Sequence, residues 1–232
     1  MKPTDLGSAE ADRIRRVFED RDKRGQPGKA RRRAGLRLAA ERGDRMRALL
    51  RRLMPEIATP AILDVGCGGG GDLRQWQLTG WPPGQLAGVD LVADRVEMAR
   101  ALCPGADIRV STGVELPFDD ERFDVVTAAT VFSSILDPSV RQRLFREMER
   151  VVRPNGLVVL YDFVISNPRN PFVVPMRAST LVSTAGRPPD HSERLSALIY
   201  AVAAAGAVHP SLEPVAMLLA PRTHRLSAWR VG

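Results

Sequence analysis

The chain has 232 residues, 44% hydrophobic and 26% charged, with a formal net charge of +7 and two cysteines. That length provides for one sizeable α/β core. No stretch of 18 apolar residues occurs, and Met1-Lys2-Pro3-Thr4-Asp5 lacks the apolar run of a signal peptide, so a soluble, cytoplasmic chain with no membrane partner is expected. Cys67 and Cys103 are too few for a disulfide framework and read as small, reduced fillers, neither metal ligands nor nucleophiles.

Residues 1–55 hold 17 Lys and Arg against 8 Asp and Glu, whereas the remainder holds 17 against 19, so the net positive charge is N-terminal. A basic face binds nucleic acid, anionic lipid or an anionic substrate, but this one carries almost no aromatics to stack on bases. Ala9 to Asp20, with Ile14, Val17 and Phe18 apolar, predicts a short amphipathic helix that Gly25-Gln26-Pro27-Gly28 breaks. Leu36 to Leu53 predicts a second, with Leu36, Leu38, Met46, Leu49, Leu50 and Leu53 as its apolar stripe despite Gly43. Pro55 and Pro60 close it. The chain divides accordingly into a basic helical extension, 1–55, and a domain, 56–232.

Ala61 to Val65 reads as a buried strand, and Gly66, Gly68 and Gly70 let the backbone turn where a side chain would meet a ligand. A helix from Leu73 then faces that ligand with its N-terminus. Glycines so spaced also serve dinucleotide folds, where a pyrophosphate sits over the helix. Asp64, two residues before the first glycine, tilts the choice: its carboxylate would repel a diphosphate and can hold an ammonium. Trp81-Pro82-Pro83-Gly84 is a loop before a second strand, Gln85 to Val89. Asp90 at its end can accept both hydroxyls of a ribose, or else cap the helix from Val92 to Leu102.

Ala106 to Val110 is a third strand, and Ser111-Thr112-Gly113-Val114-Glu115-Leu116-Pro117-Phe118 precedes a fourth, Val125 to Thr130. Val140 to Val152 is a helix that Arg153-Pro154-Asn155-Gly156 stops before the strand Leu157 to Tyr161. Asn155 tolerates the left-handed turn required there. As a set, residues 61–163 resemble the class I S-adenosylmethionine-dependent methyltransferases. The resemblance implies a Rossmann-like, doubly wound, seven-stranded and mostly parallel sheet whose last strand is antiparallel, with N-terminal helices that cover the cofactor or shape the acceptor pocket. It assigns cofactor contacts to Asp64, Gly66, Gly68, Gly70, Asp90, Leu91, Thr112, Gly113, Val114 and Thr130. The chain departs from the family's common pattern in two places. An acid that would fall at Thr112 is replaced by a hydroxyl, and Ser133-Ser134 stand where many relatives carry a histidine. Phe132 is a candidate to line the pocket or to pack in the core.

Beyond the fifth strand, Asp162 at a strand end could position an acceptor hydroxyl, and Asn167, Arg169 and Asn170 could bind a polar substrate. Ser192 to Ala205 reads as an Ala-rich helix and Thr223 to Val231 as the final strand, with the penultimate strand unplaced. Among three histidines, His224 is the best candidate base beside Asp162. No metal set is evident. The expected activity is methyl transfer from S-adenosyl-L-methionine, leaving S-adenosyl-L-homocysteine, to a small-molecule or sugar acceptor, at oxygen first and nitrogen next, in specialised-metabolite or glycan biosynthesis by a monomer or homodimer. The alternatives are an RNA or protein methyltransferase docking through residues 13–52, or a non-catalytic cofactor-binding subunit. A dehydrogenase is disfavoured by Asp64.

Overall fold

A computed structural model describes residues 3–23, 28–112, 114–165, 172–197 and 199–232. Two N-terminal helices, α1 (Pro3–Lys23) and α2 (Lys29–Leu53), precede β1 (Ile62–Val65), α3 (Gly71–Leu78), β2 (Leu86–Asp90), α4 (Ala93–Leu102), β3 (Asp107–Val110) and β4 (Phe123–Ala129). Then follow α5 (Pro138–Val151), β5 (Val152–Phe163), α6 (Ala178–Ala185), β6 (His191–Ala197), α7 (Ile199–Val208), α8 (Glu213–Leu219) and β7 (Arg222–Arg230). The seven strands form one sheet in the order β3-β2-β1-β4-β5-β7-β6, with β7 antiparallel to both neighbours and the β3 to β5 pairs parallel.

The central strands read as apolar runs because both of their faces are covered. Leu63, Val65, Val126, Ala128, Val158 and Leu160 pack against Leu144, Phe145 and Met148 of α5. Ile62, Val125, Leu157, Val159 and Tyr161 point to the other face, against Met46, Leu49 and Leu50 of α2 and Leu73 and Trp76 of α3. Alternation therefore puts Asp64, which lies between Leu63 and Val65, on the α2 face. The strand order reverses between β1 and β4, and the crevice at the carboxyl ends of these strands is where ligands bind such sheets.

Local chemistry sets the ends of elements. Asp137 caps α5 by accepting the Ser139 amide at 2.7 Å, with Pro138 in the first turn. Asn155 takes the positive φ of 65° expected of it, in a bulged stretch that interrupts the pairing of β5 with β4.

Three expectations are corrected. Residues 192–197 form β6 and not a helix: Leu195 is buried, its flanking residues are paired to β7, and the Ala-rich helix starts only at Ile199. This places the penultimate strand at the sheet edge. Helix α2 starts seven residues before Leu36, because Ala34 packs on Val202 of α7 and Arg33 and Arg37 pair with Glu213 of α8. Leu36 itself is 62% exposed and outside the apolar stripe.

Candidate functional site

The glycine turn is stitched to β2. The amides of Gly66 and Cys67 both donate to the Val89 carbonyl, at 2.8 and 2.9 Å, and the Gly68 amide donates to Asp90 Oδ2 at 2.8 Å. Asp90 Oδ1 accepts the Val92 amide at 2.9 Å, so this carboxylate both holds the turn and starts α4. Gly66, Gly68 and Gly70 have φ of 75°, 54° and 84°. A Cβ at Gly66 would collide with Val131, and one at Gly70 would press on Ala99 and Cys103 at 3.0–3.1 Å. A Cβ at Gly68 would meet nothing within 4 Å, so that glycine fronts open space, as a ligand cradle requires. Gly88 was not singled out in the sequence, yet a Cβ there would lie 2.9 Å from Cys67 Sγ and Leu73 Cδ1, so its bareness lets the turn sit down on β2.

In front of the turn opens a cavity of about 380 Å³, within the range of small-molecule sites. It is lined by Gly66 and Asp90, by Leu91 and Thr112 after β2 and β3, by Thr130, Val131 and Ile135 after β4, and by Ile14 and Phe18 of α1. Helix α1 is latched there. Glu10 accepts the Leu136 amide at 2.5 Å and Arg13 donates to the Ser134 carbonyl at 2.5 Å, while the two side chains pair at 2.8 Å. Thr130 has φ of 57°, an uncommon conformation for a β-branched residue, held by its amide's 2.7 Å bond to the Tyr161 carbonyl.

On the α2 side of the same sheet edge lies a cluster of charge. Asp64 is buried, accepts Thr127 Oγ1 at 3.1 Å, and is pushed up to about 8 by burial and by the neighbouring Asp72 and Asp90 charges. Arg42 of α2 reaches Asp72 at 2.5 and 2.7 Å and lies 5.0 Å from the centre of the Tyr161 ring. Arg42, Asp72, Thr127 and Tyr161 line a cleft of about 30 Å³, room for about one water. Three carboxylates against one guanidinium suit a ligand that brings positive charge, while Arg42 offers a partner for a carboxylate. Neither Arg42 nor Asp72 was singled out in the sequence; Arg42 is one of many arginines on α2, and only the fold brings it over Asp64.

The glycine cradle, the strand-end carboxylate of Asp90 and the acidic cluster around Asp64 suit a ligand that carries hydroxyls and positive charge. A family model described as a methyltransferase domain matches residues 63–160. The chain is 32% identical over 132 residues to Methyltransferase GfsG of Streptomyces halstedii, covering 54% of this chain and 46% of that protein. It is 31% identical over 119 residues to 27-O-demethylrifamycin SV methyltransferase of Amycolatopsis mediterranei, covering 49% and 42%. The chain thus spans under half the length of these relatives. Other relatives are described by acceptors as different as demethylmenaquinone and tRNA. The fold is that of a solved adenosylmethionine-dependent methyltransferase from Methanosarcina mazei, with a TM-score of 0.58 at 16% identity over 78% of this chain and 96% of that one. Residues 63–160 thus resemble a methyltransferase domain, on a fold shared with adenosylmethionine-dependent methyltransferases.

Most residues expected to contact the cofactor meet at the one sheet edge: Asp64, Gly66, Gly68, Gly70, Asp90, Leu91, Thr112 and Thr130. Val114 instead packs against the core on the α5 face and does not line the cavity, and Gly113 lies outside the described residues, as do Asn167, Arg169 and Asn170. Phe132 is fully buried, edge-on to Phe145, so it belongs to the core. Asp162 and His224 lie on opposite faces of the sheet, since Asp162 is in register with Arg225 and Phe163 with His224. Asp162 is buried and accepts the amides of Ser133 at 2.9 Å and Phe163 at 2.8 Å, while burial lifts it to about 6. His224 stacks on Tyr161, 4.8 Å between ring centres, and its Nδ1 meets Thr223 Oγ1 at 2.9 Å; burial, then the Arg42 charge, lower it to about 4. Neither lines the large cavity.

Proposed function

We propose that the chain transfers the methyl group of S-adenosylmethionine to a small organic acceptor, at oxygen first and nitrogen next, in the biosynthesis of specialised metabolites or glycans. The observation that carries this reading is the cavity beside the glycine turn, roofed by α1 and walled by Ile14, Phe18, Val131, Ile135 and Leu144. An acceptor reaching this space has to fit beneath a latched helix and against apolar side chains, which favours a compact molecule over a polymer.

Adenosylmethionine supplies, when bound, a methyl on a positively charged sulfur. Asp90 would hold the ribose, Asp64 the ammonium and Arg42 the carboxylate, leaving Gly68 to admit the cofactor closely. The methyl leaves a neutral sulfide, so the chain's main task is alignment, and the strained Thr130 with Val131, Ser134 and Ile135 sets one wall of the acceptor space. Asp162 acts as a positioning residue, since its oxygens hold the Ser133 and Phe163 amides. His224 is neutral at physiological pH, but burial and the Arg42 charge lower its proton affinity and it lies outside the large cavity, which disfavours it as the base.

Docking of RNA through residues 13–52 is the weaker reading, because Arg13, Arg15, Arg33, Arg37, Arg42 and Arg47 are already paired with acids of this chain. The test is incubation with methyl-labelled adenosylmethionine and separate panels of phenols, sugars, amines, tRNA and protein. Label in a low-molecular-weight product supports the proposal. Label in tRNA or protein alone refutes it, and cofactor binding without turnover on any panel points to a non-catalytic subunit.

A further inference from the structure

The connection between β6 and β7 holds α7, a short 3-10 turn and α8, and from Ile199 to Ala220 its one acidic or basic residue other than His209 is Glu213. Glu213 is fully buried, its two oxygens taken by Arg33 and Arg37 of α2 at 2.5 Å each. The inner side of this connection packs as expected, with Val202 on Ala34 and Ala216, Met217 and Ala220 around them. The outer side is apolar as well. Leu212, Val215, Leu218 and Leu219 recur at the three- and four-residue spacing of one helix face, and the last two are 75% and 76% exposed. A helix packed by one side normally carries charge on the other. Isolated exposed leucines are ordinary, but a contiguous row marks a contact surface.

The neighbouring helix decides the partner. Residues 29–40 of α2 contain Lys29, Arg31, Arg32, Arg33 and Arg37 and no acid. Leu36, one turn from Arg33 on this same segment, is 62% exposed, so the segment presents an apolar side chain among its cations. Two guanidiniums share one carboxylate, and Lys29 and Arg32 are exposed, so the rim keeps a positive surplus. A two-fold contact between copies of this chain through the same face would bring the cationic rims together.

We propose that this α2–α8 face docks on an anionic lipid surface, with Val215, Leu218 and Leu219 entering the headgroup boundary and the α2 cations meeting lipid phosphates. No helix among the described residues is long and apolar enough to cross a membrane; this helix pair would lie on one.

The full chain is to be sedimented with vesicles of phosphatidylcholine alone and of phosphatidylcholine mixed with phosphatidylglycerol, at low and raised salt, beside the double variant Leu218→Glu/Leu219→Glu. Both positions are exposed, and unchanged adenosylmethionine binding by the variant serves as the folding control. The proposal predicts binding to the anionic vesicles stronger by on the order of tenfold than to the neutral ones, weakened by salt and lost in the double variant. Absence of binding to anionic vesicles overturns it, and so does full binding by the double variant. Dimerisation that the double variant abolishes, without vesicle binding, would assign the face to a second copy of the chain.

Discussion

Replacing Asp64 with Asn removes an ionisable group while keeping the shape and the Thr127 partner. Asp64 is 5% exposed, and burial together with the Asp72 and Asp90 charges pushes it from the ordinary 3.8 up to about 8. Between those values the folded chain binds the proton that the unfolded chain has released, so the native state loses stability as pH rises through this window, and below about pH 4 the cost is absent. Linkage from the two values puts the cost at about 2 kcal/mol at pH 5 and about 4 kcal/mol at pH 7, levelling off above pH 8. Asn cannot ionise. In the absence of cofactor, thermal melts followed by circular dichroism should show Asp64→Asn more stable than the parent, by a margin that widens from pH 5 to pH 7 and reaches about 10 °C near neutrality. Calorimetry should show the opposite for adenosylmethionine, with affinity down by about 1–3 kcal/mol because an amide replaces the carboxylate proposed to hold the ammonium. Identical melting at both pH values, or unchanged affinity, would refute this reasoning.

Asp90→Ala should weaken adenosylmethionine binding by about 1–3 kcal/mol and also lower the melting temperature, since the Gly68 and Val92 amides lose their acceptor; calorimetry and melting check both, and unchanged affinity moves the ribose elsewhere. Arg42→Met should cost on the order of tenfold in cofactor affinity while sparing the adenosine end, so adenosine alone should bind both proteins equally in a competition assay. Gly88→Ala should destabilise the chain by about 1–3 kcal/mol, because its Cβ enters a space already taken by Cys67 and Leu73, and denaturant titration reads this directly.

Much of the fold was legible where strands are buried on both faces and turns demand glycine. Ile62-Leu63-Asp64-Val65 and the glycine run fix β1, its turn and α3 locally, and Asp90 is placed simply by ending β2. What escaped depends on contacts remote in sequence. Residues 192–197 alternate as a strand, but an Ala-rich stretch beginning at Ala197 masks the change of period. Nothing local distinguishes Arg42, which looks out over Asp72 and Tyr161, from Arg45, which lies 3.9 Å from Glu193. Arg33 and Arg37 read as solvated charges until α8 brings the buried Glu213 to them. Phe132 sat one residue from a cavity-lining position, and a single step along the 3-10 turn sent it into the core.

The central claim is that Asp64, the glycine turn and Asp90 form an adenosylmethionine site. Titration calorimetry of the purified chain with adenosylmethionine, adenosylhomocysteine and NAD tests it most directly. Saturable binding of the first two at one site, weakened in Asp90→Ala and absent for NAD, is the predicted result; binding of NAD in their place would contradict the account.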